Sequence, residues 1–86
     1  MDELTSLRQQ IDQIDTDILQ LLEKRIALMK SVGKAKKEIG IEIRDPQREE
    51  EKMAMLEKKA EELQIPLELL HTIWQEMFHL SDEIEK

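Results

Sequence analysis

The stretch "LTSLRQQIDQIDTDILQLLEKRIALMKSVGKAKKEI", residues 4 to 39, decides the fold. Apolar side chains recur along it in steps of three and four: Leu4, Leu7, Ile11, Ile14, Ile18 and Leu21, then Leu28, Val32, Ala35 and Ile39. That spacing returns to one face of a helix at every turn and has the period of a heptad seam, not of a strand. No proline interrupts the run, and the first break is Gly40, a natural C-terminal cap. A helix from Leu4 to Ile39 is about 54 Å long at 1.5 Å per residue.

Beyond this rod, "GIEIRD" reads as a short loop, and Asp45-Pro46 opens a second helix, with a capping carboxylate followed by a proline suited to the first helical position. Its stripe runs through Met53, Leu56, Ala60 and Leu63 until Gln64-Ile65-Pro66 interrupts it. Pro66 opens a third helix carrying Leu67, Leu70, Trp74, Met77 and Ile84 at the same spacing. The fold class is therefore all-α: one long helix and two shorter ones in a single domain over residues 1 to 86.

Composition narrows the chemistry. The chain has 86 residues, two glycines, two prolines and no cysteine, so disulfides, thiolate metal sites and cysteine nucleophiles are excluded. A net charge of -7 repels nucleic acid and anionic membrane at long range, and neither is expected as a partner. The N-terminal "MDELTSLRQQ" lacks the order of a secretory signal, and no apolar run is long enough for a bilayer, so a soluble, cytoplasmic protein is expected. An anionic ligand must then meet locally concentrated bases.

The two later helices are rods of only about 30 Å, too short to cover the seam of the first. A second chain has to supply the rest. The simplest closed arrangement is an intertwined homodimeric bundle in which the long helices run antiparallel under a two-fold axis.

Polar residues break the seams at particular places. Arg25 stands between Leu21 and Leu28, where the pattern asks for a core side chain, and a buried guanidinium needs an anion. Lys36, eleven residues on, returns to the same face within about 20° and lies about 16 Å along the axis, with Met29 and Val32 between them as an apolar floor. On the second helix Glu49 precedes Met53 on its stripe, with Arg48 beside it; on the third, Ser81 sits between Met77 and Ile84, with Glu85 one turn further. Together they read as a cation-rich pocket in a bundle core. Arg8 lies 17 residues before Arg25, about 25 Å away on one rod, so within an antiparallel dimer it is placed to complete the partner's pocket. His71 and His79, eight residues apart, form no convincing metal pair and read as surface positions.

In this order the residues resemble the all-helical, intertwined-dimer chorismate mutases of the shikimate pathway. The resemblance is carried by "LRQQIDQIDTDILQLLEKR", "VGKAKKE", "RDPQRE" and "IWQEMFHLSDEIE", and so covers nearly the whole chain. It implies conversion of chorismate to prephenate by a unimolecular pericyclic shift that needs no cofactor, metal, nucleophile or proton-shuttling histidine. It further implies that Arg25 and the partner's Arg8 hold the two substrate carboxylates, and that Lys36 reaches a carboxylate and the ether oxygen. Asp45 and Glu49 would bind near the ring hydroxyl, Ser81 would support a carboxylate, and Arg48 would extend the cationic wall. One departure stands out: at Glu85 most of the family carries glutamine, whose amide donates a hydrogen bond to the ether oxygen, whereas an ionised carboxylate cannot donate. Two alternatives share these features, an isochorismate-pyruvate lyase of similar architecture and a non-catalytic helical dimerisation or regulatory module.

Overall fold

A computed structural model describes residues 2–86. It contains three helices, α1 (Glu3–Ile39), α2 (Pro46–Leu63) and α3 (Leu67–Glu85), and no strand among the described residues. Local chemistry explains each boundary. The Asp2 carboxylate accepts from the Thr5 backbone N–H at 2.7 Å and caps α1, and this bond holds its carboxyl below the usual aspartate range. Gly40 ends α1 in the left-handed region, at φ 74°, with its N–H donating to the Lys36 carbonyl. The Asp45 carboxylate accepts from the Arg48 N–H at 3.1 Å, and Pro46 takes the first turn of α2. Gln64 closes α2 in a left-handed conformation, φ 56°, and Ile65-Pro66 carries the chain into α3 without a side-chain cap.

The helix α3 packs against both α1 and α2 and is the centre of the arrangement. On one side Leu56 and Ala60 of α2 meet Leu70 of α3, flanked by Met53, Ile65 and Trp74. On the other, α3 runs parallel to α1 and in step with it, since Arg25 meets Met77 and Gly33 meets Glu85.

The line of α1 that docks α3 differs from the seam read in the sequence. Its buried residues are Met29 and Gly33, while Leu4, Leu7, Ile11, Ile14, Ile18, Leu21, Leu28, Val32 and Ile39 are all exposed, Ile14 at 57% and Leu28 at 66%. α1 thus has two working faces: a short one beneath α3 and a long apolar one that none of the described residues covers. Shape carries the same message. The accessible surface is 7220 Å², where a globular monomer of this mass exposes roughly 5,300 Å². The radius of gyration is 16.5 Å, against about 12 Å for a compact chain of this length. No helix of the described residues is long and apolar enough to cross a membrane.

Candidate active site

Where the last turns of α1 and α3 meet the first turn of α2, a cavity of about 440 Å³ opens. It brings together seven of the residues singled out by sequence: Arg25 and Lys36 from α1, Asp45 from the loop, Arg48 and Glu49 from α2, and Ser81 and Glu85 from α3. Met29 and Val32 line it as well, between Arg25 and Lys36. Arg8 is not among the lining residues; it is exposed on the N-terminal part of α1.

The cavity also takes in residues that the pattern did not single out, notably Lys52, Phe78 and Asp82. A signal for Lys52 existed, because it stands one helical turn after Arg48 and Glu49 and therefore shares their face. Asp82 likewise follows Phe78 by four residues. With both included, the wall carries four cations, Arg25, Lys36, Arg48 and Lys52, and four carboxylates, Asp45, Glu49, Asp82 and Glu85. It is more evenly balanced than the cation-rich pocket the seam suggested, because the first turn of α2 and the last of α3 contribute acids of their own.

These charges are not equivalent. Lys36 Nζ lies 2.7 Å from Glu85 Oε1, with side-chain exposures of 17% and 6%. The ammonium also donates a hydrogen bond to the Ile43 carbonyl, and Glu85 Oε1, though ion-paired with it, accepts no well-angled hydrogen bond among the described residues. Asp45 caps α2, and Glu49 makes only a loose 3.9 Å contact with the exposed Arg44. Arg25 is half-buried, yet no carboxylate of the described residues pairs with it, and its guanidinium donates to the Met77 sulfur at 3.6 Å. Burial pulls its pKa below the usual arginine range, and the neighbouring Arg48 adds to the effect. It stays charged, but in surroundings that would favour an anion.

His79 is exposed, as expected, but His71 is half-buried, with Nε2 enclosed and without a partner among the described residues. Its place on the α3 face turned towards the body of the chain accounts for the difference. Among the described residues, no group of three or more His, Cys, Asp or Glu could hold a metal ion.

Fold and cavity together define a small all-α protein with a charged pocket at a three-helix junction. The chain belongs to the family chorismate mutase type II, whose profile matches residues 7–86. It is similar to the T-protein of Enterobacter agglomerans, 42% identical over 71 residues that cover 83% of this chain and 19% of that protein. A bifunctional chorismate mutase/prephenate dehydratase of Aquifex aeolicus is 37% identical over 89 residues, covering 100% and 25%. A chorismate mutase of Methanocaldococcus jannaschii is 43% identical over 49 residues, covering 57% and 50%. The chain therefore spans half or less of the length of these relatives. Among solved structures, a conserved hypothetical protein from Pyrococcus furiosus superposes with a TM-score of 0.75 at 31% identity, covering 100% of this chain and 99% of that one.

Proposed function

We propose that this chain is a chorismate mutase, rearranging chorismate to prephenate for phenylalanine and tyrosine synthesis in the cytoplasm, in a site completed by a second copy of itself. The observation that carries the proposal is Arg25, a half-buried guanidinium that lines the cavity without a carboxylate partner among the described residues. A substrate carboxylate relieves both its desolvation and its repulsion with Arg48. Family membership and the name of the Methanocaldococcus relative support the same activity, and the name of the Aquifex relative supports prephenate as product.

Arg25 and the partner's Arg8 hold the two carboxylates, Ser81 supports one of them, and Asp45 and Glu49 bind near the ring hydroxyl. Lys36 reaches a carboxylate and the ether oxygen, while Arg48 and Lys52 extend the cationic wall. As the C–O bond breaks and the new C–C bond forms, negative charge gathers on the ether oxygen, and Lys36, held beside Glu85, stabilises it there. Rate comes from holding the dianion in a compact chair and from that fixed electrostatic field, so it requires no proton transfer. The charge count favours this arrangement. One chain's four cations and four carboxylates balance, and the partner's Arg8 adds a further cation for the dianion.

A homodimer with antiparallel α1 helices buries the long apolar face. The excess exposed surface, about 1,900 Å² over a compact monomer, is more than twice the roughly 800 Å² per partner of a standard interface. Isochorismate-pyruvate lyase is the rival chemistry, since its substrate is an isomer of the same dianion. Supplying each substrate and identifying products separates the two: prephenate from chorismate is expected, and salicylate with pyruvate from isochorismate as the principal activity would overturn the proposal.

A further inference from the structure

Gly33 lies in the middle of α1, where a helix gains nothing from glycine. It is buried, and its backbone is helical, so no unusual conformation calls for it. What the site requires is the absence of a side chain. A Cβ placed on Gly33 would lie 2.8 Å from the Glu85 Cα, 3.1 Å from its Cγ and 3.2 Å from its Cβ. The first of these contacts is with backbone, so a rotamer change cannot relieve it. Three residues on, and so on the same face of α1, Lys36 holds the Glu85 carboxylate. Glu85 itself is 5% exposed although it is the last residue of α3, where helix ends ordinarily fray.

We propose that Gly33 is a positioning residue: by presenting bare backbone, it lets the last turn of α3 seat on α1 and fixes the Glu85 carboxyl beside Lys36 at the edge of the cavity. This rests on the assignment of the cavity as the site of chorismate rearrangement. Gly33 touches no substrate and acts through Glu85. A methyl group at Gly33 lifts the final turn of α3 and withdraws the carboxyl from Lys36, while the rest of α3, held by Leu70 and Trp74 against α2, stays in place.

The test is a double-mutant cycle with Gly33→Ala and Glu85→Ala, reading kcat and KM for chorismate at 25 °C. Gly33→Ala alone is expected to lower kcat/KM on the order of tenfold, mainly through kcat, and to cost less than about twofold when Glu85 is already alanine. Equal losses in both backgrounds would overturn the proposal, because Gly33 would then act independently of Glu85. Loss of the helical circular-dichroism signal in Gly33→Ala would overturn it too, since Gly33 would then be required by the whole bundle. A second readout needs no substrate. The Tm coupling between Lys36→Met and Glu85→Ala is expected in the parent and is expected to vanish in Gly33→Ala. Persistence of that coupling, or a Tm raised by Gly33→Ala as at an uncrowded helix position, would contradict the seating. If the parent fails to turn over chorismate, the functional assignment falls, and the Tm coupling still decides whether Gly33 seats Glu85.

Discussion

Lys36 Nζ and Glu85 Oε1 lie 2.7 Å apart and tie the last turn of α1 to the last turn of α3. An acid this buried, paired with a cation on the wall of the cavity, is a built feature of the fold and not a frayed terminal residue. Its chemistry depends on its proton: the acid form can donate to an ether oxygen, whereas the carboxylate can only accept. Arg25 and Lys36 on α1, Arg48 and Lys52 on α2, and the carboxylates Asp45, Glu49 and Asp82 share the cavity wall with it.

The expected consequence is that turnover depends on what this position can donate. Glu85→Gln should keep or improve kcat/KM near neutral pH, because an amide N–H can always donate, whereas Glu85→Ala should lower it. Steady-state rates on chorismate at neutral pH for the parent and both variants check this. Unchanged rates in Glu85→Ala would remove Glu85 from the chemistry.

Replacing the cation of the pair acts on rate and stability together. Lys36→Met should lower kcat by about a hundredfold or more, the scale seen when one preorganised donor is lost from a developing negative charge. It also leaves the Glu85 carboxylate buried without its partner, a loss of roughly 3–5 kcal/mol when the acid is charged. Denaturant unfolding of the parent and of Lys36→Met at neutral pH measures it.

The helices were legible because their signals are local and redundant. The Asp45-Pro46 start, the Gly40 stop and the Gln64-Ile65-Pro66 break each have a stereochemical cause that acts within a few residues. The inward polar residues Arg25, Glu49 and Ser81 were legible as violations of the stripe, and Lys36 and Glu85 by their helical spacing from them. What remained hidden was which face of α1 the chain uses for itself. Hydropathy marks the long seam, but α3 docks on the line of Met29 and Gly33, and a glycine contributes nothing to a hydrophobic pattern. Lys52 escaped for the converse reason: it follows three glutamates and looks like part of a solvated face until α3 closes the cavity over it.

The small core gives a test of packing apart from chemistry. Leu56 is 4% exposed, packs with Ala60 and Leu70 between α2 and α3, and does not line the cavity. Leu56→Ala should cost about 2–5 kcal/mol in unfolding free energy and leave KM for chorismate nearly unchanged. A large change in KM from this substitution would mean that the α2–α3 contact shapes the site directly.

Assembly can be probed on the uncovered face. Ile14, exposed at 57% in one chain, should lie in the shared core of the dimer. Ile14→Asp places an unpaired charge there and should disrupt folding and association together. Sedimentation and circular dichroism would report both. A folded, active monomer at micromolar concentration, in the parent or in this variant, would contradict the dimer.

Each pocket is expected to draw Arg25 from one chain and Arg8 from the other, and subunit mixing separates this from a site built within one chain. Homodimers of Arg8→Ala and of Arg25→Ala should each be nearly inactive on chorismate. When the two are unfolded together and refolded, half the dimers should be hybrids, each with one pocket that has both arginines, so activity should recover to about a quarter of the parent value per site. No recovery from a hybrid verified by mass would contradict the composite site, because the two arginines would then belong to the same chain's pocket or one of them to none.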